Sequence, residues 1–347
     1  MKKNIKSITI AFFMICLLIS NGYGQENQKI AQTGFQFLSV VSDARAASMA
    51  EAMTSLQTNS SSLFFNPAGM SGMQNFFEIS ASSNQWIADI NHYTLGIALS
   101  PFEGRYGVIG FSVQSVNYGD FYGTRVNSNL DVGFDDTGIF SVSAIALGLG
   151  YAKQLTDRFG IGGQIRWIRQ DLGESVIPLN SKLDTADASH TLYVADTGRV
   201  SNKLSPFVFD FGTQFRTGIK SLVFGMSVRN FSGEVEYAKE GFQAPLVFTL
   251  GISINVLDII DEDPLTHVLN VSIDASHYRD HPEQLKIGFE YRVMDMLSLR
   301  GGYITNNNES GMSYGIGVSK FGFAFDYCYT PFGVFNKVQR MTARFLF

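Results

Sequence analysis

Cysteine is almost absent from this 347-residue sequence, which contains only Cys16 and Cys328. Cys16 falls in an N-terminal stretch that we expect to be removed from the mature protein. The single cysteine that remains cannot form an intramolecular disulfide. These counts exclude a small secreted domain whose fold depends on disulfides.

Charged residues are also sparse. Asp, Glu, Lys and Arg together make up 16% of the residues, and the formal net charge is −5. The basic residues are scattered along the chain and form no patch, which argues against a nucleic-acid-binding surface. We therefore predict no nucleic-acid partner.

Long hydrophobic runs are confined to the N-terminus. Residues 8–19 are apolar, follow three lysines within the first six residues, and precede the small residues Gly22 and Gly24. This pattern predicts a signal peptide over residues 1–24, with an N-terminal anchor helix as the alternative. No second run of this kind follows, so we expect no membrane-spanning helix in the mature chain.

Alternation of apolar and polar residues dominates what is present. In the segment 205–216, for example, four phenylalanines alternate with polar or small residues. A period of two indicates strands with one apolar face, and the runs have the length of about 9–11 residues that crosses a bilayer when tilted. The pattern predicts an all-β transmembrane antiparallel barrel over residues 76–347, apolar outside and polar inside. Its fourteen expected strands lie near 76–82, 91–100, 104–116, 138–153, 158–171, 205–216, 221–231, 244–256, 267–278, 284–294, 296–305, 311–319, 321–330 and 337–347.

The lengths of the links between these strands predict an orientation. The long links 117–137, 172–204 and 232–243 all follow odd-numbered strands, whereas most links after even-numbered strands are short. Bacterial barrels have short periplasmic turns and longer outer loops. We therefore expect an outer-membrane protein surrounded by lipid, with both termini in the periplasm and the long links available to partners.

The polar rows of the predicted strands collect charges of both signs. Charged groups are costly against lipid, so we expect them to face the lumen and to pair there or contact water. A salt-bridged lumen is one interpretation and a selective transport path is the other. The predicted lumen-facing charges are Arg166, Asp210, Arg216, Arg229, Asp274, Lys286, Glu290, Arg292, Arg300, Asp326 and Arg344.

The segment 25–75 lacks the alternation and is predicted to form a separate N-terminal unit. Residues 44–53 are rich in Ala and Met, which predicts a short helix. The sequence from Asn66 to Gly69, Asn-Pro-Ala-Gly, is a turn signal because proline fixes φ and glycine permits unusual φ values. Such a segment could plug the barrel or cap its periplasmic mouth, and a flexible periplasmic arm is the third possibility.

No arrangement of residues indicates catalysis or a cofactor. His277 and His281 are four residues apart, but Asp280 and Pro282 place them in a turn rather than on a metal-binding helix. We predict a protein that is not an enzyme, with no catalytic residues, no metal and no cofactor.

Three short motifs in the N-terminal unit resemble the PorV/PorQ family of outer-membrane proteins. They are a phenylalanine-leucine element at 34–38, an Ala-Arg-Ala helix start at 42–49, and the Asn-Pro-Ala turn at 65–70. This family is similar to the FadL-type fatty-acid channels, which share the Asn-Pro-Ala element, a fourteen-stranded barrel and an N-terminal hatch. The residues that match the motifs are Phe37, Leu38, Asp43, Ala44, Arg45, Met49, Asn66, Pro67, Ala68 and Gly69.

The chain differs from the family at one place in the N-terminal unit and resembles outer-membrane barrels at its C-terminus. The chain departs from the family at Ala50 and Glu51, where glycine is common. At the other end, Phe345 and Phe347 look like the signal that the barrel-assembly machinery reads.

Two functions follow from the resemblance. The PorV/PorQ family implies a component of type IX protein secretion that binds or shuttles secreted cargo and contacts the translocon. The FadL relationship implies the alternative, a channel for long-chain fatty acids or other hydrophobic molecules. A charged lumen counts mildly against an apolar conduit.

Overall fold

The computed structural model describes residues 33–126, 132–183, 192–237, 240–260, 267–307, 310–335 and 337–347. The predicted signal peptide lies outside the described residues. Among the helices in these ranges, none has the length and apolar character needed to cross a membrane.

Strands make up most of the described chain. They are β1 (Phe77–Gln85), β2 (Asn91–Leu99), β3 (Val108–Val126), β4 (Phe134–Thr156), β5 (Phe159–Leu183), β6 (Leu192–Leu204), β7 (Phe207–Arg216), β8 (Val223–Phe231), β9 (Val235–Tyr237), β10 (Glu240–Phe242), β11 (Val247–Asn255), β12 (His267–Tyr278), β13 (Gln284–Val293), β14 (Leu297–Ile304), β15 (Met312–Lys320), β16 (Phe323–Pro331) and β17 (Lys337–Leu346).

Fourteen of these strands form a closed antiparallel barrel, which confirms the predicted fold and strand number. Each strand pairs with its neighbours in the chain, and β1 pairs with β17 to close the ring. The three others lie outside it: β6 extends the pairing of β5, while β9 and β10 form a separate hairpin. Closure leaves no unpaired strand edge in the wall, as a hydrocarbon environment requires.

The two faces of the wall differ as the alternation predicts. On β7, Phe207, Phe209 and Phe211 are exposed outside, whereas Val208 and Asp210 between them are buried inside. The same apolar exterior recurs around the barrel, so the outer surface suits lipid.

Two predicted links are in fact long β-hairpins. The expected link 117–137 continues β3 to Val126 and begins β4 at Phe134, and the expected link 172–204 is mostly β5 and β6. The prediction failed because both faces of β4 between Phe134 and Ser141 are exposed where side chains are described. A strand with no buried face needs no apolar row, so its alternation is absent. We call the strand segments beyond the wall, 118–126 with 132–142 and 172–183 with 192–204, the arms, and this end of the barrel the arm end.

The segment 33–75 forms the hatch, which lies inside the barrel. It contains helix α1 (Ala44–Ser48) and short 3-10 helices at Gln36–Ser39, Asn59–Phe64 and Pro67–Met70. The predicted helix over 44–53 was too long. It ends early because Ala50 and Glu51 adopt φ values of 54° and 64°, a left-handed conformation that favours glycine.

Inward-facing glycines of the wall allow the hatch backbone to approach closely. A Cβ atom added to Gly288 or Gly302 would lie less than 3.0 Å from backbone atoms of Met49 or Ala50. Gly162 and Gly225 face other parts of the hatch in the same way. The wall therefore has glycine, which lacks a side chain, at positions where the hatch backbone passes close to it.

We expect Gly302→Val to destabilise the protein by about 1–3 kcal/mol, because the added methyl groups overpack the contact with the hatch. Gly301→Val is the matched control, since a Cβ there meets only Ser313 O at 3.9 Å. Thermal or denaturant unfolding in detergent measures the difference. Equal stability of the two variants would show that the hatch does not press on this wall.

Candidate functional site

The hatch crosses the lumen and contacts the wall on every side. Helix α1 lies against β14, β15, β16 and β17, the 3-10 helix Asn59–Phe64 against β1, β2 and β3, and Pro67–Met70 against β4, β5 and β7. A cavity between the hatch and Arg166, Asp210 and Arg229 has a volume of about 20 Å³, room for about one water. The segment plugs the barrel rather than capping its mouth.

A line of five charged side chains joins the hatch to the wall. Arg45 of α1 donates from Nε and Nη2 to Glu290, both at 2.8 Å. Arg300 lies between Glu290 at 2.7 Å and Asp326 at 2.6 Å, and Arg344 contacts the other oxygen of Asp326 at 2.5 Å. We call this line the charge ladder. Its alternating signs leave neither carboxylate without a counter-ion in a low-dielectric interior.

A second ion pair holds the turn that ends α1. Lys286 of β13 donates to Glu51 at 2.6 Å and to the Tyr278 hydroxyl at 2.7 Å. Glu51 has a left-handed backbone conformation, and it stands at a position where glycine is common in the family that the hatch motifs resemble. The ion pair therefore compensates for a backbone conformation that costs about 1–2 kcal/mol outside glycine.

A third cluster lies on β5, β7 and β8. Arg166 pairs with Asp210 at 2.7 Å and also donates to the Asn230 side chain. Asp210 accepts a further hydrogen bond of 2.7 Å from the Asn230 backbone N–H. These groups are buried and satisfy one another within the wall.

The family-motif residues shape the hatch. Asp43 caps α1 by accepting from Ala46 N at 2.8 Å, and it accepts from Ser61 Oγ at 2.9 Å. Asn66 accepts from Ala68 N at 3.1 Å while its amide donates to Thr54 O at 2.7 Å. Each side chain therefore closes its own turn and also joins two parts of the hatch.

The other motif residues are packing positions. Phe37 and Leu38 belong to a buried apolar cluster with wall residues such as Ile168 and Val208. Ala44 and Met49 pack in a second cluster around α1. The remaining motif residues are buried in the 3-10 helix Pro67–Met70: Pro67, Ala68 and Gly69.

The remaining predicted lumen charges also meet the hatch or lie at the barrel end. Asp274 accepts from Thr54 N at 2.9 Å, and Arg216 donates to Gln57 at 3.0 Å. Arg229 donates to Phe64 O. Arg292 instead pairs with Asp295 at 3.0 Å, where the short turns lie. The two C-terminal phenylalanines lie at that same end. The ring of Phe345 contacts that of Phe323 with centroids 4.6 Å apart, and Phe347 is exposed.

The start of the described chain is fixed at the arm end. Asp280, in the turn between β12 and β13, accepts from Thr33 Oγ1 at 2.6 Å and from Gln36 Nε2 at 2.7 Å. Burial disfavours its charge, but hydrogen bonds from His281, Thr33 and Gln36 outweigh burial and hold the pKa of the Asp280 carboxyl well below its usual range. Nearby, His277 pairs with Glu283. In the part of the chain described, no three His, Cys, Asp or Glu side chains cluster as a metal would require.

Sequence reasoning missed two inward-facing charged residues. Glu78 of β1 accepts from Asn59 Nδ2 at 2.9 Å and from Ser60 Oγ at 2.7 Å. Arg340 of β17 donates from Nε to Val41 O at 2.8 Å. The signal was present for Arg340, because it shares the inward row of Arg344.

A vestibule of about 410 Å³ opens above the hatch at the arm end. Hatch residues such as Glu51 form part of its lining, and turn residues such as Pro282 and Asn306 form another part. Trp86 and Phe332 supply its aromatic surface, with ring centroids 4.8 Å apart. Arg340 also lines the vestibule.

Comparison with known proteins identifies the fold. No protein-family model matches the sequence, and no curated protein sequence does. The chain is similar to the Pseudomonas putida toluene transporter TodX, with TM-score 0.56 and 13% identity over 92% of this chain and 98% of that one. It is also similar to the Ralstonia pickettii toluene transporter TbuX (TM-score 0.54, 12%, covering 87% and 96%) and to a Pseudomonas aeruginosa FadL homologue (TM-score 0.53, 12%, covering 88% and 98%). At these identities the likeness is one of fold alone: the chain shares the barrel architecture of these structures.

We expect Arg45→Met to destabilise the protein by up to about 3 kcal/mol. This is the lower end of the cost of breaking a buried ion pair, because Arg300 still faces Glu290. Denaturant unfolding in detergent measures the loss.

The matched control is Arg292→Met, which breaks a largely exposed pair and should cost less than about 1 kcal/mol. The double variant Arg45→Met with Glu290→Gln should cost less than the two single variants summed, because both single substitutions break the same contact. Indistinguishable stabilities of Arg45→Met and Arg292→Met would contradict the assigned role of the charge ladder.

Proposed function

We propose that this chain is a plugged outer-membrane barrel that binds protein partners through its arms and serves type IX protein secretion. The observation that carries the proposal is the combination of a filled lumen with two arms that extend beyond the wall. A barrel whose lumen is filled by its own chain can still bind partners through the surfaces outside the lumen. The alternating wall and its closure support placement in the outer membrane.

The filled lumen favours docking over conduction. A continuous passage requires the hatch to leave the wall, and this breaks the contacts of Arg45 with Glu290 and of Glu51 with Lys286. Lys286 then loses its counter-ion, at about 3–5 kcal/mol when uncompensated. Glu290 keeps Arg300 but loses its second partner, Arg45. The wall glycines hold the hatch backbone as well. These costs favour a hatch that stays in place.

The arms offer protein-binding surface. Beyond its last pairing with β2 at Asn117, β3 continues to Val126, about 30 Å of strand at about 3.3 Å per residue. Phe121 and Phe140 stack with centroids 5.5 Å apart, and Tyr122 and Ile139 are 76% and 62% exposed. Exposed aromatic and aliphatic side chains at this density are typical of protein-interaction surfaces.

The secretion role is supported by the motif resemblance. The residues that resemble the PorV/PorQ family are the ones that build the hatch: Asp43 caps α1, Arg45 begins the charge ladder, and Asn66 joins two hatch turns. In this proposal the C-terminus, at the end with short turns, is periplasmic, and the arms face the cell exterior. Cargo proteins and the translocon are the partners.

The fold likeness supports a second candidate, a transporter for hydrophobic molecules. The similar solved structures include toluene transporters and a monoaromatic hydrocarbon channel. The apolar cluster around Phe37 and Leu38 is the part of the lumen that an apolar solute would have to enter. This candidate requires the hatch to move, whereas the docking role does not.

Deletion of the gene should stop surface delivery of type IX cargo, and the double variant Tyr122→Ser with Ile139→Ser should reduce it severalfold, because the arm loses exposed apolar surface. Immunoblots of surface-exposed cargo measure both effects. Tyr122→Phe keeps the ring and is the control.

The outer membrane of the strain with the Tyr122→Ser, Ile139→Ser variant must contain the barrel at the normal level, so that the loss of cargo is not a loss of the barrel. Unchanged cargo in the deletion strain would refute the secretion role. Loss of hydrocarbon or fatty-acid uptake in that strain, with cargo unchanged, would establish the second candidate instead.

A further inference from the structure

Arg340 is a buried cation without a counter-ion among the described residues. It lies on the inner row of β17 and is 4% exposed. Its hydrogen bonds go to neutral oxygens, Val41 O at 2.8 Å and Thr330 Oγ1 at 2.9 Å. By contrast, Arg166 and Arg300, which are buried to a similar degree, each form salt bridges to carboxylates.

The carboxylate in the same vestibule is already engaged. Glu51 lines the vestibule with Arg340, but its Oε2 lies 2.6 Å from Lys286 Nζ, on the inner row of β13. The thiol of Cys328, next to Thr330 on the wall, is buried. The pair Glu51–Lys286 is neutral as a unit, so the charge of Arg340 gives this part of the vestibule a net positive charge.

An aromatic pair, Trp86 and Phe332, lies beside the guanidinium in the lining of the vestibule. The Cζ atom of Arg340 lies 5.3 Å from the centroid of the Trp86 ring, a cation–π contact. Phe332 meets Trp86 edge to face, and Ile304 and Pro282 add apolar surface to the lining. A fixed cation beside an apolar wall matches a ligand that carries an anionic end and an apolar body.

We propose that the vestibule is a binding site for a small organic carboxylate with an aromatic or aliphatic body. The carboxylate accepts charge-assisted hydrogen bonds from Arg340, and the body packs on Trp86 and Phe332. The volume of about 410 Å³ falls within the range of about 300–1,000 Å³ that small-molecule sites occupy. This site goes beyond the docking role and does not depend on it, because the ligand would enter from the arm end with the hatch in place.

The test compares two probes that share a phenyl body and differ at one end: 4-phenylbutyrate carries a carboxylate there, and 4-phenyl-1-butanol a neutral hydroxyl. The full chain is purified in a neutral detergent. The protein contains two tryptophans, so Trp167→Phe leaves Trp86 as the fluorescent reporter within the site. We expect saturable changes in Trp86 emission with phenylbutyrate and at least tenfold weaker binding of phenylbutanol. Equal binding of both probes would overturn the proposal without any further variant.

Variants then assign the charge to Arg340. Arg340→Met should remove the preference for the carboxylate, and Arg340→Lys should retain part of it. Arg292→Met, at the opposite end of the barrel, is the matched control and should leave binding unchanged. If Arg340→Met does not fold, Glu51→Gln tests the role of charge in the site instead. This substitution removes a negative charge from the site, so we expect it to tighten phenylbutyrate binding at least threefold. Binding that ignores both substitutions would contradict the assignment.

Discussion

Charge neutralisation between the wall and the hatch is the constraint on which this structure depends. A barrel that faces lipid must direct its charged side chains inward, and charges left unpaired in a low-dielectric interior are costly. The wall pairs part of them within itself, since Arg300 and Arg344 face Asp326 and Glu290 faces Arg300, but Lys286 pairs with Glu51 of the hatch. Arg45 from the hatch completes the ladder, so the hatch is held by the charges that the barrel must place inside.

The glycines and the caps work toward the same result. Gly288 and Gly302 remove side chains where the hatch backbone passes, and Asp43 and Asn66 close the turns that carry the hatch past them. A hatch fixed in this way separates the two ends of the barrel. We place its function at the ends of the barrel, where the arms and the vestibule lie.

The sequence predicted the wall and the presence of the hatch, but it predicted neither the arms nor the partners of the hatch charges. All fourteen wall strands were located from their alternation, because each has one face in an apolar environment. The arms were taken for links, since the strand from Phe134 to Ser141 has no buried face and therefore no periodic signal. The partners of Arg45 and Glu51 lie more than two hundred residues away, so no local pattern could pair them. Arg340 could have been found, because it shares a row with Arg344.

The central claim is that the hatch stays in place while the protein works. Ser60 of the hatch and Ser80 of β1 have Oγ atoms 3.0 Å apart, so Ser60→Cys with Ser80→Cys can lock the hatch to the wall by a disulfide. Surface cargo measured with this disulfide oxidised and reduced, in a Cys328→Ser background, tests the claim directly. We expect the same cargo level in both states. Cargo delivery that fails when the disulfide is oxidised and recovers on reduction would show that the hatch must move.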